Sequence, residues 1–448
     1  MNSEWRQGSV STLQAAGLIL VEDGNHGESR PRPHEFAPSG VAFIRAADID
    51  SNGNVLFDRA SKISPVARER ITKGIGAPGD ILLTHKGTVG KVGRVPADAA
   101  PFVCSPQTTF WRSLAPNELD QLYLHAYLRS PFFHQQLVAR AGETDMAPYV
   151  SLTSQRAIIV RYPPLPEQRA IAHILGTLDD KIELNRRTNE TLEAMARALF
   201  KSWFVDFDPV HAKKAGRKPE GMDAETAALF PDDFEDSEMG KIPRGWRVAP
   251  LTSLTSHLSR GIGPSYVEHG GVRVVNQKCV RAGVLDFSKA RRHDVTRRSV
   301  DDRILLDGDI LVNSTGVGTL GRVAQADILS EPTIVDSHVT IVRPREGSLL
   351  EFLGTSMTSR EGEIEALGEG STGQTELSRQ RLGALCFVVP PDVLTRAFAR
   401  LAAPSRRSRA KSRAQSETLA ALRDALLPQL LSGSLRVPEA MRLVEKAL

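Results

Sequence analysis

Gly316-Val317-Gly318-Thr319-Leu320-Gly321 is the stretch of this chain whose spacing could cradle a phosphate. It matches the G-x-G-x-x-G pattern of dinucleotide sites, where glycines let backbone N–H groups approach a pyrophosphate at the start of a helix. That chemistry needs a helix after the glycines. Here the strand-like run Arg322-Val323-Ala324 follows, and the related stretch at 87–93 spaces its glycines differently. A tight turn that needs positive φ is the better reading. Gly90-Lys91 is followed by Val92, with no Ser or Thr to hold magnesium, so a phosphate loop is not predicted. The chain carries no Asn-Pro-Pro-aromatic motif, no HExxH and no nucleophile elbow. Asp80 and Asp309 each adjoin a glycine, and turn chemistry accounts for them. Cys104, Cys279 and Cys386 lie far apart, which predicts buried thiols rather than a zinc site or a disulfide framework. The expectation is a non-catalytic chain with no cofactor and no metal of its own.

Basic and amide side chains offer a different chemistry. Arg68, Arg70 and Lys73 precede one Gly-rich hairpin, and Arg291, Arg292, Arg297 and Arg298 precede another. His85-Lys86 and Ser314-Thr315 fall at the two hairpin tips, with Gln107 and His338 beyond them. Arg and Lys can read guanine edges and Gln can read adenine, while the rest hold phosphates. The plainer account is a solvated basic surface. A net charge of +4 and a pI near 9.0 permit nucleic-acid binding without requiring it.

Long helices must position these loops. From Pro164 to Phe207 apolar residues return every three or four positions, at Ile171, Ile174, Leu178, Leu192, Met195 and Leu199. The spacing predicts a seam about 58 Å long at 1.5 Å per residue. Polar Asn185 and Thr188 interrupt it, as register-setting residues do. A helix so polar elsewhere needs a partner, and the chain supplies one from Pro390-Pro391 to about Leu431. Pro163-Pro164 and Glu190-Thr191-Leu192 recur, without a gap, as Pro390-Pro391 and Glu417-Thr418-Leu419. At this offset Ile171 corresponds to Phe398, Ile174 to Leu401, Asn185 to Ser412, Met195 to Leu422 and Leu199 to Leu426. The run 406–413, with Arg406, Arg407, Arg409, Lys411 and Arg413, falls inside the second helix. It could meet DNA phosphates, or acids on the first helix or on a partner.

The rest of the chain repeats as well. Trp5-Arg6 and Trp246-Arg247 open two copies of one pattern. Short apolar runs broken by Gly, Pro and Asp predict strand-dominated α+β units. In the first copy these are 41–44, a turn at Ser51-Asn52-Gly53, and 81–83, with helices at 119–128 and 131–139. In the second, 272–275 replaces 41–44 and 307–312 replaces 78–83. Residues 208–239, with an acidic run at 232–238, read as a wrapped connector that is mobile in part. The tail after Gly433 reads as amphipathic.

This order of globule, helix, globule and helix resembles the specificity subunit of type I restriction–modification systems. The resemblance rests on Pro164-Leu165-Pro166-Glu167-Gln168-Arg169, on Leu178-Asp179-Asp180-Lys181-Ile182 with Asn185, and on Leu199-Phe200-Lys201-Ser202-Trp203-Phe204. Gly240-Lys241-Ile242-Pro243-Arg244-Gly245-Trp246 and Leu430-Leu431-Ser432-Gly433 add to it. The second helix departs from the pattern, opening Pro391-Asp392-Val393-Leu394-Thr395 without the Glu-Gln-Arg. The fold expected is α+β, with two repeated, β-rich target-recognition domains (1–163 and 240–390) separated by two long antiparallel coiled-coil helices (164–207 and 391–432). A connector (208–239) and a C-terminal tail (433–448) complete the chain. The resemblance implies double-stranded DNA, two methyltransferase subunits and restriction subunits as partners. S-adenosylmethionine, ATP and Mg would then belong to those partners. Ile171, Ile174, Leu178, Asn185, Leu192, Met195, Leu199, Phe398, Leu401, Leu419, Leu422 and Leu426 are the expected helix and partner contacts. The N-terminus has no signal pattern and no apolar run reaches membrane length, so a cytoplasmic protein is expected. A protein-binding adaptor with a coiled-coil spacer is the rival reading.

Overall fold

The computed structural model describes residues 5–50, 52–141, 148–300, 303–370 and 375–448. Ser51, at the head of one expected turn, lies outside them. The chain divides into two compact units, 1–183 with 416–448, and 184–415.

Within each unit one antiparallel strand pair brackets a globule. Arg6–Ser9 pairs with Ile159–Tyr162, and Arg247–Pro250 pairs with Cys386–Val389. Next comes a four-stranded antiparallel sheet. Its order is Ile19–Asp23, Thr108–Ser113, Ile81–Lys86 and Thr88–Arg94 in the first unit. In the second it is Thr255–Arg260, Val339–Pro344, Ile310–Asn313 and Val323–Gln325. A second sheet in each unit contains a single parallel pair, Val41–Ile44 with Phe102–Cys104, or Val272–Val275 with Thr333–Val335.

The two-residue period of a strand explains why residues 81–83 are buried throughout. Leu82 faces Ile44, Phe102 and Phe110, while Ile81 and Leu83 join Trp111, Tyr123 and Leu137 on the helical side. Leu311 and its neighbours Ile310 and Val312 divide in the same way. The helices Gln121–Leu128 and Pro131–Ala139 start where local chemistry dictates. Asp120 accepts from the Leu122 and Tyr123 amides at 2.9 Å, and Ser130 precedes a proline in the first turn.

The long helices are Leu165–Phe204 and Asp392–Ser432. In the first unit Leu178 packs with Leu419 and Leu426, and Arg423 donates to Asp179 at 2.7 Å. In the second, Asn185 Nδ2 reaches Gln415 Oε1 at 3.0 Å, Arg409 donates to Glu193 at 2.7 Å, and Phe200 meets Phe398 at 5.8 Å between centroids. Partner numbers fall as the first helix advances, so the segments run antiparallel.

The seam needs three corrections. Met195 is 63% exposed, and Thr188 is exposed too. The contact line follows the 3.6-residue period from Asn185 through Glu193 to Phe200, and Met195 sits about 160° from Glu193, on the far side. Leu401 is 53% exposed, and Ala402 takes the buried place beside Phe398. Leu192 is half-buried and precedes Glu193, the partner of Arg409, while Leu419 packs around Leu178.

Residues 208–239 belong to the second unit and bury Val210, Ala212 and Phe230. Helices Asp208–Lys214 and Ala224–Ala228 lead to a hairpin of Phe234–Ser237 with Gly240–Pro243. Phe230 is buried edge-on against Trp203, at 5.2 Å. The final helix, Val437–Ala447, buries Ala440 and Val444 in the first core. Among the described residues no helix is long and apolar enough to cross a membrane.

Candidate nucleic-acid interface

Each unit gathers three polar loop segments at one end of its four-stranded sheet. In the first, the hairpin tip at His85-Lys86-Gly87 meets the start of the strand Thr108–Ser113. The His85 amide donates to the Gln107 carbonyl at 3.0 Å. The segment returning at 148–150 closes the group, with the Val150 amide donating to the His85 carbonyl at 2.9 Å. The second unit repeats these bonds. Ser314 N donates to His338 O, and Leu377 N donates to Ser314 O, both at 2.8 Å. Backbone geometry is thus held constant while the side chains differ.

Those side chains occupy distinct environments. His85 is buried, its ring 5.5 Å from that of Tyr149, and burial pushes its pKa down. Lys86 is exposed and lies over the Tyr149 ring at 5.9 Å, and Gln107 is exposed beside it. Ser314 is buried, 2.5 Å from the Thr340 hydroxyl, and Thr315 Oγ1 lies 2.8 Å from Nδ1 of the exposed His338. Thr315 also donates to Gln277 Oε1 at 3.4 Å. Gly316 has φ +104°, and a Cβ there would come within 2.5 Å of that same amide oxygen. The glycine pattern at 316–321 is accordingly a turn between strands.

The other basic residues are elsewhere. Arg68 and Arg70 belong to the helix Pro65–Arg70. Arg68 donates to the Ile71 carbonyl, while Arg70 clasps Glu35 at 2.8 and 2.7 Å and holds that carboxyl down to about 2. Lys73 is exposed, and its carbonyl accepts from Asn25. Arg291 stacks on Tyr266 at 3.3 Å, and Arg292 shares Glu331 with Arg273. Arg297 lies 3.5 Å from Asp294, and Arg298 donates to the Gly263 carbonyl. Within 406–413, Arg406 pairs with Asp327 and Glu351, Arg409 with Glu193, and Arg413 with Asp327. These acids come from the first helix and from the second globule. Arg407 and Lys411 are the exposed cations of the run.

Turn chemistry is only part of the account of Asp80 and Asp309. Each caps its turn, accepting from Ala77 N at 2.7 Å and from Leu306 N at 2.8 Å. Each is also buried against one guanidinium in a two-point pair, Arg112 at 2.6 and 2.8 Å, and Arg343 at 2.7 Å twice. A lone Asp beside Gly carries no sign of an arginine some thirty residues away. The identical pair in both repeats was the signal that a comparison of the copies could have used. Tyr149, Gln277 and Asp23 likewise reach these sites from segments with no motif.

The chain is similar to known proteins over most of its length. Residues 27–194 match the family model of the type I restriction modification DNA specificity domain. The chain is 26% identical to the type I restriction enzyme HindI specificity subunit of Haemophilus influenzae, over 88% of this chain and 94% of the relative. It is 24% identical to the MjaIX specificity subunit of Methanocaldococcus jannaschii, over 90% and 89%. Among solved structures, the type I restriction–modification S subunit from M. genitalium shares the fold, with a TM-score of 0.60, 15% identity and 96% of each chain covered. The resemblance read from the motifs therefore holds over nearly the whole chain.

Proposed function

We propose that this chain is the non-catalytic DNA-specificity subunit of a type I restriction–modification complex. The observation that carries the reading is the duplicated loop platform, identical in backbone bonding and different in side chains, in a chain similar to specificity subunits throughout. Two copies with different side chains suit a bipartite, asymmetric site, as a symmetric dimer suits a palindrome. In this reading, domains 1–163 and 240–390 each read one half-site. The helices 164–207 and 391–432 dock two methyltransferase subunits and set the half-site spacing, with 208–239 and 433–448 as connector and tail. The restriction subunits join that assembly, in the cytoplasm. S-adenosylmethionine, ATP and Mg serve the partner subunits.

Methylome mapping in a host with and without the gene tests the reading. Adenine methylation at one split sequence, present only with the gene, is the expected result. We expect the purified chain alone to show no methylation or cleavage, and a complex with two methyltransferase subunits to methylate. Turnover by the isolated chain would overturn the assignment. Affinity for duplex that does not fall with salt would favour the adaptor instead.

A further inference from the structure

His85 is the next-to-last residue of the strand Ile81–Lys86 and is 2% exposed. Its Nδ1 lies 3.0 Å from the Val150 carbonyl, so this nitrogen carries the proton and donates. Nε2 of the neutral ring then holds only a lone pair. It lies 3.8 Å from Asp23 Oδ1, and among the described residues neither atom has a hydrogen-bond partner. Two buried acceptors face one another, an arrangement that costs free energy. A single proton on Nε2 converts it into an ion pair with a donor.

The fold does not impose this. In the second unit Ser314 stands where His85 stands, with the same backbone bonds, and Arg260 replaces Asp23 in register with Thr340. Ser314 is bonded to Thr340, and Arg260 pairs with Glu376 and donates to the Leu377 carbonyl. At these two positions, among the described residues, the first copy leaves its acceptors unpaired and the second does not.

We propose that the first unit takes up one proton on binding duplex DNA, that His85 Nε2 receives it, and that the imidazolium–Asp23 pair fixes the hairpin tip bearing Lys86. The proposal rests on the reading that this face meets DNA. His85 is faced by Asp23 from the strand Ile19–Asp23, by Lys86 on its own strand, by Tyr149, and by the carbonyls of Val150 and Pro106. Without DNA, burial favours the neutral ring, Asp23 opposes burial, and Lys86 adds to it. Phosphates engaging Lys86 neutralise the opposing charge and bring negative potential within a Debye length. The His85 pKa then rises on binding. Affinity must therefore fall as pH rises through the bound-state value, by up to roughly tenfold per pH unit for one proton. His85 acts here as a positioning residue.

The test is calorimetric titration of the full chain, in complex with its methyltransferase subunit, with duplex carrying the mapped site. Two buffers of different ionisation heat between pH 6 and 8 count the protons. Wild type should take up close to one proton. Asp23→Asn gives Nε2 an amide donor without a proton, so its uptake should vanish while affinity at pH 8 stays at least at the wild-type level. His85→Gln, checked for folding by thermal unfolding, should also lose the uptake. Unchanged uptake in either variant, or no uptake by wild type that binds tightly, overturns the proposal. A complex that fails to bind duplex at any pH instead sinks the functional reading. Nitrogen-15 NMR of the ring separates the two failures, because an Nε2–H tautomer in the free chain overturns the acceptor pair whatever DNA does.

Discussion

Asp80 and Asp309 show what one carboxylate does in each unit. Removing one partner of a buried pair strands the other charge, which costs about 3 kcal/mol or more. We expect Asp80→Asn and Asp309→Asn each to lower stability by about that amount, read as a shifted urea midpoint at constant slope. The joint change Asp80→Leu with Arg112→Met should cost less than Asp80→Asn alone. Acid acts through histidine. His125 Nε2 is buried without a hydrogen-bond partner among the described residues, and burial, then Arg129, pushes its pKa down to about 3. The unfolded chain takes the proton near 6.5, so the neutral ring's contribution is full above that pH and is lost as pH falls toward 3. The loss is up to about 1.4 kcal/mol per pH unit. Urea titrations at pH 7.5 and 5 should show it, and His125→Leu should flatten the difference.

At the scale of elements, the Pro-Leu-Pro-Glu-Gln opening is a clamp. Gln168 is fully buried, accepts from Asp120 N at 2.8 Å, and donates to the carbonyls of Glu118 and Pro163 at 2.8 Å each. Thr395, at the matching place in the second helix, bonds only its own first turn, at Asp392 O. Docking thus does differ between the copies. Gln168→Ala should cost about 2–3 kcal/mol by leaving these groups unpaired, and Thr395→Val distinctly less. The helix–helix contact separates by residue in the same way. Leu178→Asp places a charge in a closed core and should abolish assembly of the complex, while Met195→Asp should leave folding intact. Size-exclusion chromatography of the two variants is the measurement. The aromatic cluster of Phe200, Trp203, Phe204, Phe352 and Phe398 ties the first helix to the second globule's core. Each such pair adds about 0.5–1.5 kcal/mol beyond its area.

For the whole molecule, the proposal separates readout from spacing. Exchanging residues 1–163 for those of a relative should change one half-site and leave the other. Adding one heptad to both long helices, between Leu178 and Leu192 and at the facing position, lengthens each by about 10 Å, close to three base pairs. Methylation mapping should find both half-sites kept and the gap longer, with some affinity lost to rotation of the DNA. An unchanged gap in an active complex would show that the helices do not set it.

Periodicity and repetition are local or nearly local properties, and they were legible in the residues alone. The two long helices, the strands at 41–44, 81–83 and 272–275, the two helices beyond residue 119, and the turn nature of Gly316–Gly321 all follow from spacing, caps and glycine placement. The antiparallel course of the long helices was implied only by the resemblance. The duplication was legible because two copies of one pattern share a single offset. Side-chain partnership across the fold was not. Which of Leu192, Met195 and Leu401 turns inward depends on a drift of some tens of degrees between a heptad and a straight helix. That Arg406 and Arg413 meet Asp327 and Glu351 depends on a globule that local spacing cannot place beside a helix, and that Arg409 meets Glu193 depends on the facing helix. The approach of His85 to Asp23 joins residues 62 positions apart. Ion pairs leave no period in the sequence, so only the tertiary structure decides which charges are consumed and which face outward.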